Sequence, residues 1–185
     1  MPNYCCYEMR VRGKPENIDE LIDVMTDYDH PRHFWRVFSA EPFYFPEEED
    51  GTVVAGISGD CAWSVYTCMF DGELTYAELA DPQVRTSLQK ESARLGLEIE
   101  VYSDEPGVGF QEHYYFANGK ELVNDSVDCM HAYFDDDDAE TEEEREVLFE
   151  KFKREYELDS DLTLEDLNED NEIVIGGYGE WEFEF

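Results

Sequence analysis

Basic side chains are scarce in this 185-residue chain: 13 Lys and Arg stand against 48 Asp and Glu, a net charge of -35. That deficit argues against direct binding of nucleic acid or anionic membranes and favours a positively charged protein partner. No apolar run approaches the ~18 residues of a membrane span. The opening MPNYCCYEMR lacks the h-region of a signal peptide. Regular cysteine spacing is missing too. Cys5, Cys6, Cys61, Cys68 and Cys129 are odd in number and irregularly placed, so reduced thiols and a cytoplasmic setting are expected. No Ser-His-Asp order or nucleophile elbow can be read. A pair of carboxylates can always be found among 48 acids, so it is no sign of catalysis, and the expectation is a protein that is not an enzyme.

Aromatic residues are not scarce. The chain is 42% hydrophobic and 15% aromatic, which separates it from disordered acidic chains and supplies a core for one domain with an appendage. Cys5, Tyr7, Met9 and Val11 alternate with Cys6, Glu8, Arg10 and Arg12, the period of a half-buried strand. Pro15 and the helical spacing of Ile18, Leu21, Ile22 and Met25 predict a helix over 15–28. Residues 29–52 read as irregular and aromatic, with Pro31, Pro42 and Pro46 against long elements. Val53–Ile57 and Ala62–Phe70 read as two strands around a Ser58-Gly59-Asp60 turn. A helix over 82–95, with Val84, Leu88 and Leu95 on one side, closes at Gly96. Leu97, Ile99 and Val101 then alternate as a strand. Residues 108–134 read as a long hairpin turning at Asn118-Gly119.

The composition changes after residue 134. Residues 135–185 hold 22 acidic and 4 basic side chains, against 26 and 9 in residues 1–134, so about a quarter of the chain carries half the net charge. The division is a core over 1–134 and an acidic extension over 135–185 packed on it. Thr141 and Glu144 form a capping box ahead of the apolar face Leu148, Phe149, Phe152 and Tyr156. Asp159–Asn171 reads as an acidic loop or short helix. At the C-terminus Trp181, Phe183 and Phe185 alternate with Glu180, Glu182 and Glu184, which predicts a final strand with carboxylates outward.

The order strand, helix, strand, strand, helix, strand over 4–103 is that of an α+β, ferredoxin-like split β-α-β sandwich, with an extra hairpin and a C-terminal helix-strand extension. Helices then cover one sheet face. The aromatic loop 29–52 and the C-terminal helix are the candidates to cover the other. Met1-Pro2-Asn3-Tyr4-Cys5 with a strand ending at Gly13, Ala62-Trp63-Ser64, and Asp104-Glu105-Pro106-Gly107-Val108-Gly109-Phe110 together resemble the YubB-like ferredoxin-fold proteins of phages and conjugative plasmids. The resemblance extends over residues 1–120 and fades in the acidic tail. It supplies no catalytic residues. It implies a phage or mobile-element origin, and small acidic proteins of such elements often inhibit host defence nucleases.

Carboxylates two apart on a strand project to one side ~6.5–7 Å apart. Glu180, Glu182 and Glu184 form one such row, and Glu98 and Glu100 another. Asp135, Asp136, Asp137 and Asp138 add an unbroken acidic run. Any one row is ordinarily a solvated face. The total excess, however, goes well beyond the net charge of about 2–8 that solubility asks of a small domain. High-salt adaptation is one reading of it. Occupation of a nucleic-acid-binding channel in a basic host protein or nucleoprotein complex (a CRISPR effector or restriction enzyme) by a DNA mimic is the leading one. Phe34 and Trp35 would anchor such a contact if exposed. The alternatives are an accessory protein with a different basic partner and a divalent-metal-dependent hydrolase. The sequence leaves a homodimer open.

No cofactor or metal is expected. Asp159-Ser160-Asp161-Leu162-Thr163 fails as an EF-hand, because Leu164 and Asp170 stand where Gly and Glu are needed. His30, Pro31, Arg32 and His33, like Cys129-Met130-His131, show no CxxC or HxxxH spacing. Pro106-Gly107-Val108-Gly109 has no helix after it and reads as a turn or bulge, not a phosphate loop.

Overall fold

The computed structural model describes residues 3–70, 86–139, 141–167 and 171–185. Strand β1 (Tyr4–Gly13) follows its sequence alternation: Cys5, Tyr7, Met9 and Val11 are buried, while Tyr4, Cys6 and Glu8 are exposed. It is an interior strand of the sheet. It pairs antiparallel with β3 (Val53–Ala62) on one side and β4 (Glu98–Glu105) on the other. With β2 (Glu41–Tyr44), β5 (Phe110–Ala117), β6 (Lys120–Tyr133) and β7 (Glu172–Gly176), the order is β2-β3-β1-β4-β5-β6-β7, antiparallel throughout. The molecule is thus a mixed α/β protein with a seven-stranded antiparallel sheet.

Helix α1 (Pro15–Thr26) begins on proline and buries Ile18, Leu21, Val24 and Met25. Helix α3 (Leu88–Leu95) is capped by Ser87, whose side chain accepts from Lys90 N, and is closed by Gly96 in the left-handed region at φ 66°. Residues 82–85 of the expected helix, Val84 among them, lie outside the described residues. Both helices pack on the β1 face that carries Tyr7, Met9 and Val11, joined by Ile99, Val101, Tyr114 and Phe116 in the main core. The hairpin turns at Asn118 and Gly119, with φ of 49° and 81°, the pair of positive angles that a two-residue turn requires.

Strand β6 runs beyond the start of β5 and pairs its last residues with β7. There Ala132 and Phe134 meet Phe149 and Phe152 of α4 (Glu142–Glu155), forming a second, smaller core. The capping box is present: Thr141 accepts from Glu144 N, and the Glu144 carboxylate accepts from Thr141 N. The acidic stretch after α4 contains one 3-10 turn at Leu164–Asp166, and the described part of it is otherwise irregular.

Two stretches of the chain depart from expectation. Residues 53–62 form one unbroken strand, not a strand and a turn. Gly59 is needed for close approach: a Cβ there would sit 2.1 Å from the Ser39 carbonyl oxygen and 2.6 Å from the Tyr7 hydroxyl. The expected strand over 62–70 is instead the short helix α2 (Val65–Met69), started by Ser64, whose hydroxyl accepts from Thr67 N. The second correction is at the C-terminus. Residues 181–185 pair with no strand, and the last paired strand is β7. Glycines 176, 177 and 179, all at positive φ, turn the chain out of β7 and back across the sheet. The alternation itself survives: Trp181, Phe183 and Phe185 are half-buried, while Glu180, Glu182 and Glu184 are exposed.

Candidate functional site

The sheet face away from α1 and α3 is where the chain's unusual chemistry gathers. Across β1, β4 and β5 the register sets Cys6, Asp104 and Gln111 in one row, and Glu8, Tyr102 and His113 in the next. Arg10, Glu100 and Tyr115 follow, then Arg12, Glu98 and Ala117. Residues 177–185 lie over these rows as a strap. That strap covers the face together with part of the loop 29–52, whose Phe45 and Glu48 meet Arg10 and Arg12, whereas the C-terminal helix packs in the second core instead.

The strap is held by its backbone. Tyr178 N donates to Gln111 Oε1 at 2.8 Å, the Tyr102 hydroxyl donates to the Glu182 carbonyl at 2.9 Å, and Glu184 N donates to Glu100 Oε2 at 2.7 Å. Its rings point down. Trp181 stacks over Tyr102, with ring planes 13° apart, and Phe183 meets the same ring edge-on. The Arg10 guanidinium lies between Phe183 and Phe45, and that of Arg12 lies 4.5 Å from the Phe185 centroid. Cation–π contacts of this kind contribute roughly 0.5–1 kcal/mol each at exposed sites. With every second residue anchored, the carboxylates of Glu180, Glu182 and Glu184 face solvent from a backbone held at several points. Burial and the nearby carboxylates of Glu100, Glu182 and Glu184 push the Tyr102 phenol above its usual range.

Beside Trp181, a groove of about 450 Å³ opens over β1 and β3, lined by Cys6, Glu8, Ser39, Glu41 and Asp60. Its lining holds three carboxylates, Glu8, Glu41 and Asp60, and no basic side chain.

The other residues singled out from sequence fall differently. Glu100 is fully buried, so it cannot belong to an outward row. Its carboxylate accepts from the strap and meets His113 Nε2 at 2.8 Å. Glu98 is half-buried and paired with Arg12 at 3.3 Å. Phe34 is a core residue, 1% exposed, which removes it as a surface anchor. Trp35 is half-buried and stacked on Trp63, with the Arg36 guanidinium beside both rings. In the β6–α4 loop Asp135, Asp137 and Asp138 are exposed, whereas Asp136 binds Arg145 Nε at 2.6 Å and Asn171. Cys6 is exposed, on the face of β1 that the alternation assigns to Glu8, and its pKa is pushed up to about 11 by partial burial and Asp104.

Sequence reading missed Glu112, and it weighed His131 beside Cys129 only to set the pair aside for want of zinc spacing. Glu112 stands in the apolar stripe Phe110, Tyr114, Phe116, a position that already marks a buried carboxylate. His131 lies between Glu172, 2.6 Å from Nδ1, and Asp104, 2.9 Å from Nε2. Burial disfavours its charged form, but these two carboxylates outweigh burial and raise its pKa. Among the described residues, donor atoms of Asp104, Cys129 and His131 lie within 4.8 Å of one another.

No family model, curated protein or solved structure matches this chain. No helix among the described residues is long and apolar enough to cross a membrane.

A charge of this size destabilises the compact state by self-repulsion, which salt screens. The melting temperature is expected to rise between low salt and ~0.5 M NaCl, where the screening length falls to a few ångströms. Circular dichroism melts at several salt concentrations check this, and a flat or falling series would contradict it.

Proposed function

We propose that this chain is a ferredoxin-like, acidic inhibitor of phage or mobile-element origin. It acts in the host cytoplasm by occupying the nucleic-acid-binding surface of a defence nuclease complex. The strand order β2-β3-β1-β4, with α1 following β1 and α3 preceding β4, supports the ferredoxin-like reading of the first 105 residues. The observation that carries the functional reading is the strap. Its rings lie against the sheet and its glutamates are exposed at every second residue, so the anionic side chains start in a row from an anchored backbone. Such a row suits a cationic groove built for phosphates, which are spaced one per 3.4 Å of rise along each DNA strand. The net charge of -35 adds long-range attraction to such a groove and makes association fast and salt-dependent.

The test is competition. The tagged chain, incubated with host lysate, is expected to retain a nuclease complex that added duplex DNA releases. Alone, it is expected to give no gel shift with duplex DNA at physiological salt. A retained complex that binds DNA and this chain together would overturn the reading.

A further inference from the structure

The cluster at the end of β4 and β6 has no part in the inhibitor reading, and it has the makings of a coordination sphere. Asp104 comes from β4, and Cys129 and His131 from one side of β6. Their donors are of three kinds: a carboxylate oxygen, a thiol sulfur and an imidazole nitrogen. His131 Nε2 lies 3.7 Å from Cys129 Sγ and 2.9 Å from Asp104 Oδ1. A tetrahedral zinc ion, with bonds of about 2.3 Å to sulfur and about 2.0–2.1 Å to nitrogen or oxygen, sets S and N ligands about 3.6 Å apart and N and O ligands about 3.3 Å apart. The sulfur–nitrogen edge already fits. The nitrogen–oxygen edge must open by about 0.4 Å, a small side-chain rotation.

The surroundings fit as well. Metal-bound histidines nearly always give their second ring nitrogen to a carboxylate or carbonyl, which fixes the tautomer and ring orientation. Here Glu172 of β7 takes Nδ1 at 2.6 Å, leaving Nε2 for the other partners. The second oxygen of Asp104 is likewise engaged, by Gln111 Nε2 at 3.0 Å, so Oδ1 is the one turned to His131. The side chains of His131, Asp104 and Glu172 are 7%, 12% and 14% exposed, sheltered but within reach of an ion.

We propose that Asp104, Cys129 and His131 form a binding site for one zinc-class divalent transition-metal ion, with Glu172 orienting His131 and water filling the fourth position. The thiolate and imidazole donors select zinc or cobalt over calcium and magnesium, which prefer all-oxygen shells. On binding, the thiol and Nε2 protons leave to solvent as the metal–sulfur and metal–nitrogen bonds form. The ion would tie β4 to β6 at the point where the main sheet passes into the smaller C-terminal core.

Cobalt(II) is the probe, added to the reduced full-length chain. Its advantage is that a sulfur-to-cobalt charge-transfer band reports a cysteine ligand, whereas ion binding to the many surface carboxylates gives no such band. One equivalent is expected to produce that band together with strong visible absorption of a tetrahedral ion. One equivalent of zinc should abolish both, and excess calcium should not. Cys129→Ser should lose the band and Cys6→Ser should keep it. Glu172→Gln should keep the band and bind metal ~10–100-fold more weakly. Zinc should also protect Cys129 of the unaltered protein from alkylation, which serves if a variant fails to fold. No sulfur band at one equivalent, a band surviving in folded Cys129→Ser, or unchanged alkylation with zinc would each overturn the assignment.

Discussion

Replacing Glu112 with alanine is expected to destabilise the fold by about 3 kcal/mol or more. The side chain is 3% exposed and its carboxylate accepts four hydrogen bonds. Val65 N and Ser103 Oγ donate to Oε2 at 2.8 and 2.7 Å, and Tyr66 N and the Tyr114 hydroxyl donate to Oε1 at 3.3 and 3.0 Å. Two of these donors are the first amides of α2, so the carboxylate ties that helix to β4 and β5. The two hydroxyls can turn elsewhere when Glu112 is lost. The two amides cannot, and that of Val65 is left as an unsatisfied buried donor, which costs about 1–3 kcal/mol. Glu112→Gln keeps one acceptor oxygen but aims an NH2 group at two donors, so it should lie between wild type and alanine. Urea unfolding of the three proteins measures the order. An alanine variant within about 0.5 kcal/mol of wild type, the range of ordinary surface substitutions, would contradict this account of α2.

Ending the chain at Gly179 is expected to cost about 2–3 kcal/mol, because three half-buried rings and two backbone hydrogen bonds to the sheet are lost. For a chain of this size that lowers the melting temperature by roughly 4–12 °C. The uncovered face would present Tyr102, Tyr115, His113 and the two arginines, so the truncated protein should also bind hydrophobic dyes and self-associate. Phe183→Ala should give a smaller loss of the same sign, since Arg10 keeps Phe45. A truncated chain with unchanged melting temperature and no dye binding would show that the strap is not docked in solution.

Much of this architecture could be read from sequence where local periodicity and packing agree. β1, α1, the Asn118-Gly119 hairpin and the Thr141 cap are such cases. Reading failed where a residue served a distant neighbour. Gly59 resembles a turn residue, but its missing side chain makes room for Ser39, 20 positions earlier in the chain. Glu100 has the spacing of a solvated residue on a half-buried strand. It is buried because a segment 84 residues away folds over it, and no period in β4 records that. The strap's own alternation is visible as Trp-Glu-Phe-Glu-Phe, and it gave the right faces but a strand where the chain pairs with none. A period of two reports an extended chain, not what the chain pairs with. Cys129 and His131 showed no zinc spacing because the third member of their cluster, Asp104, comes from β4, 27 positions before His131, and Glu172 comes from β7.

The central claim is that the exposed carboxylates of the anchored strap bind a cationic surface. Its most direct test is the affinity of the captured partner for wild type and for the triple variant Glu180→Gln, Glu182→Gln, Glu184→Gln, measured across a salt series. All three side chains are exposed, so the variant should fold and melt like wild type at high salt. It should bind the partner roughly tenfold more weakly or worse at low salt, a loss of about 1.4 kcal/mol or more. Its affinity should also fall less steeply with salt. Equal affinities and equal salt slopes for the two proteins would contradict the account and leave the strap as a solvated cover over the sheet.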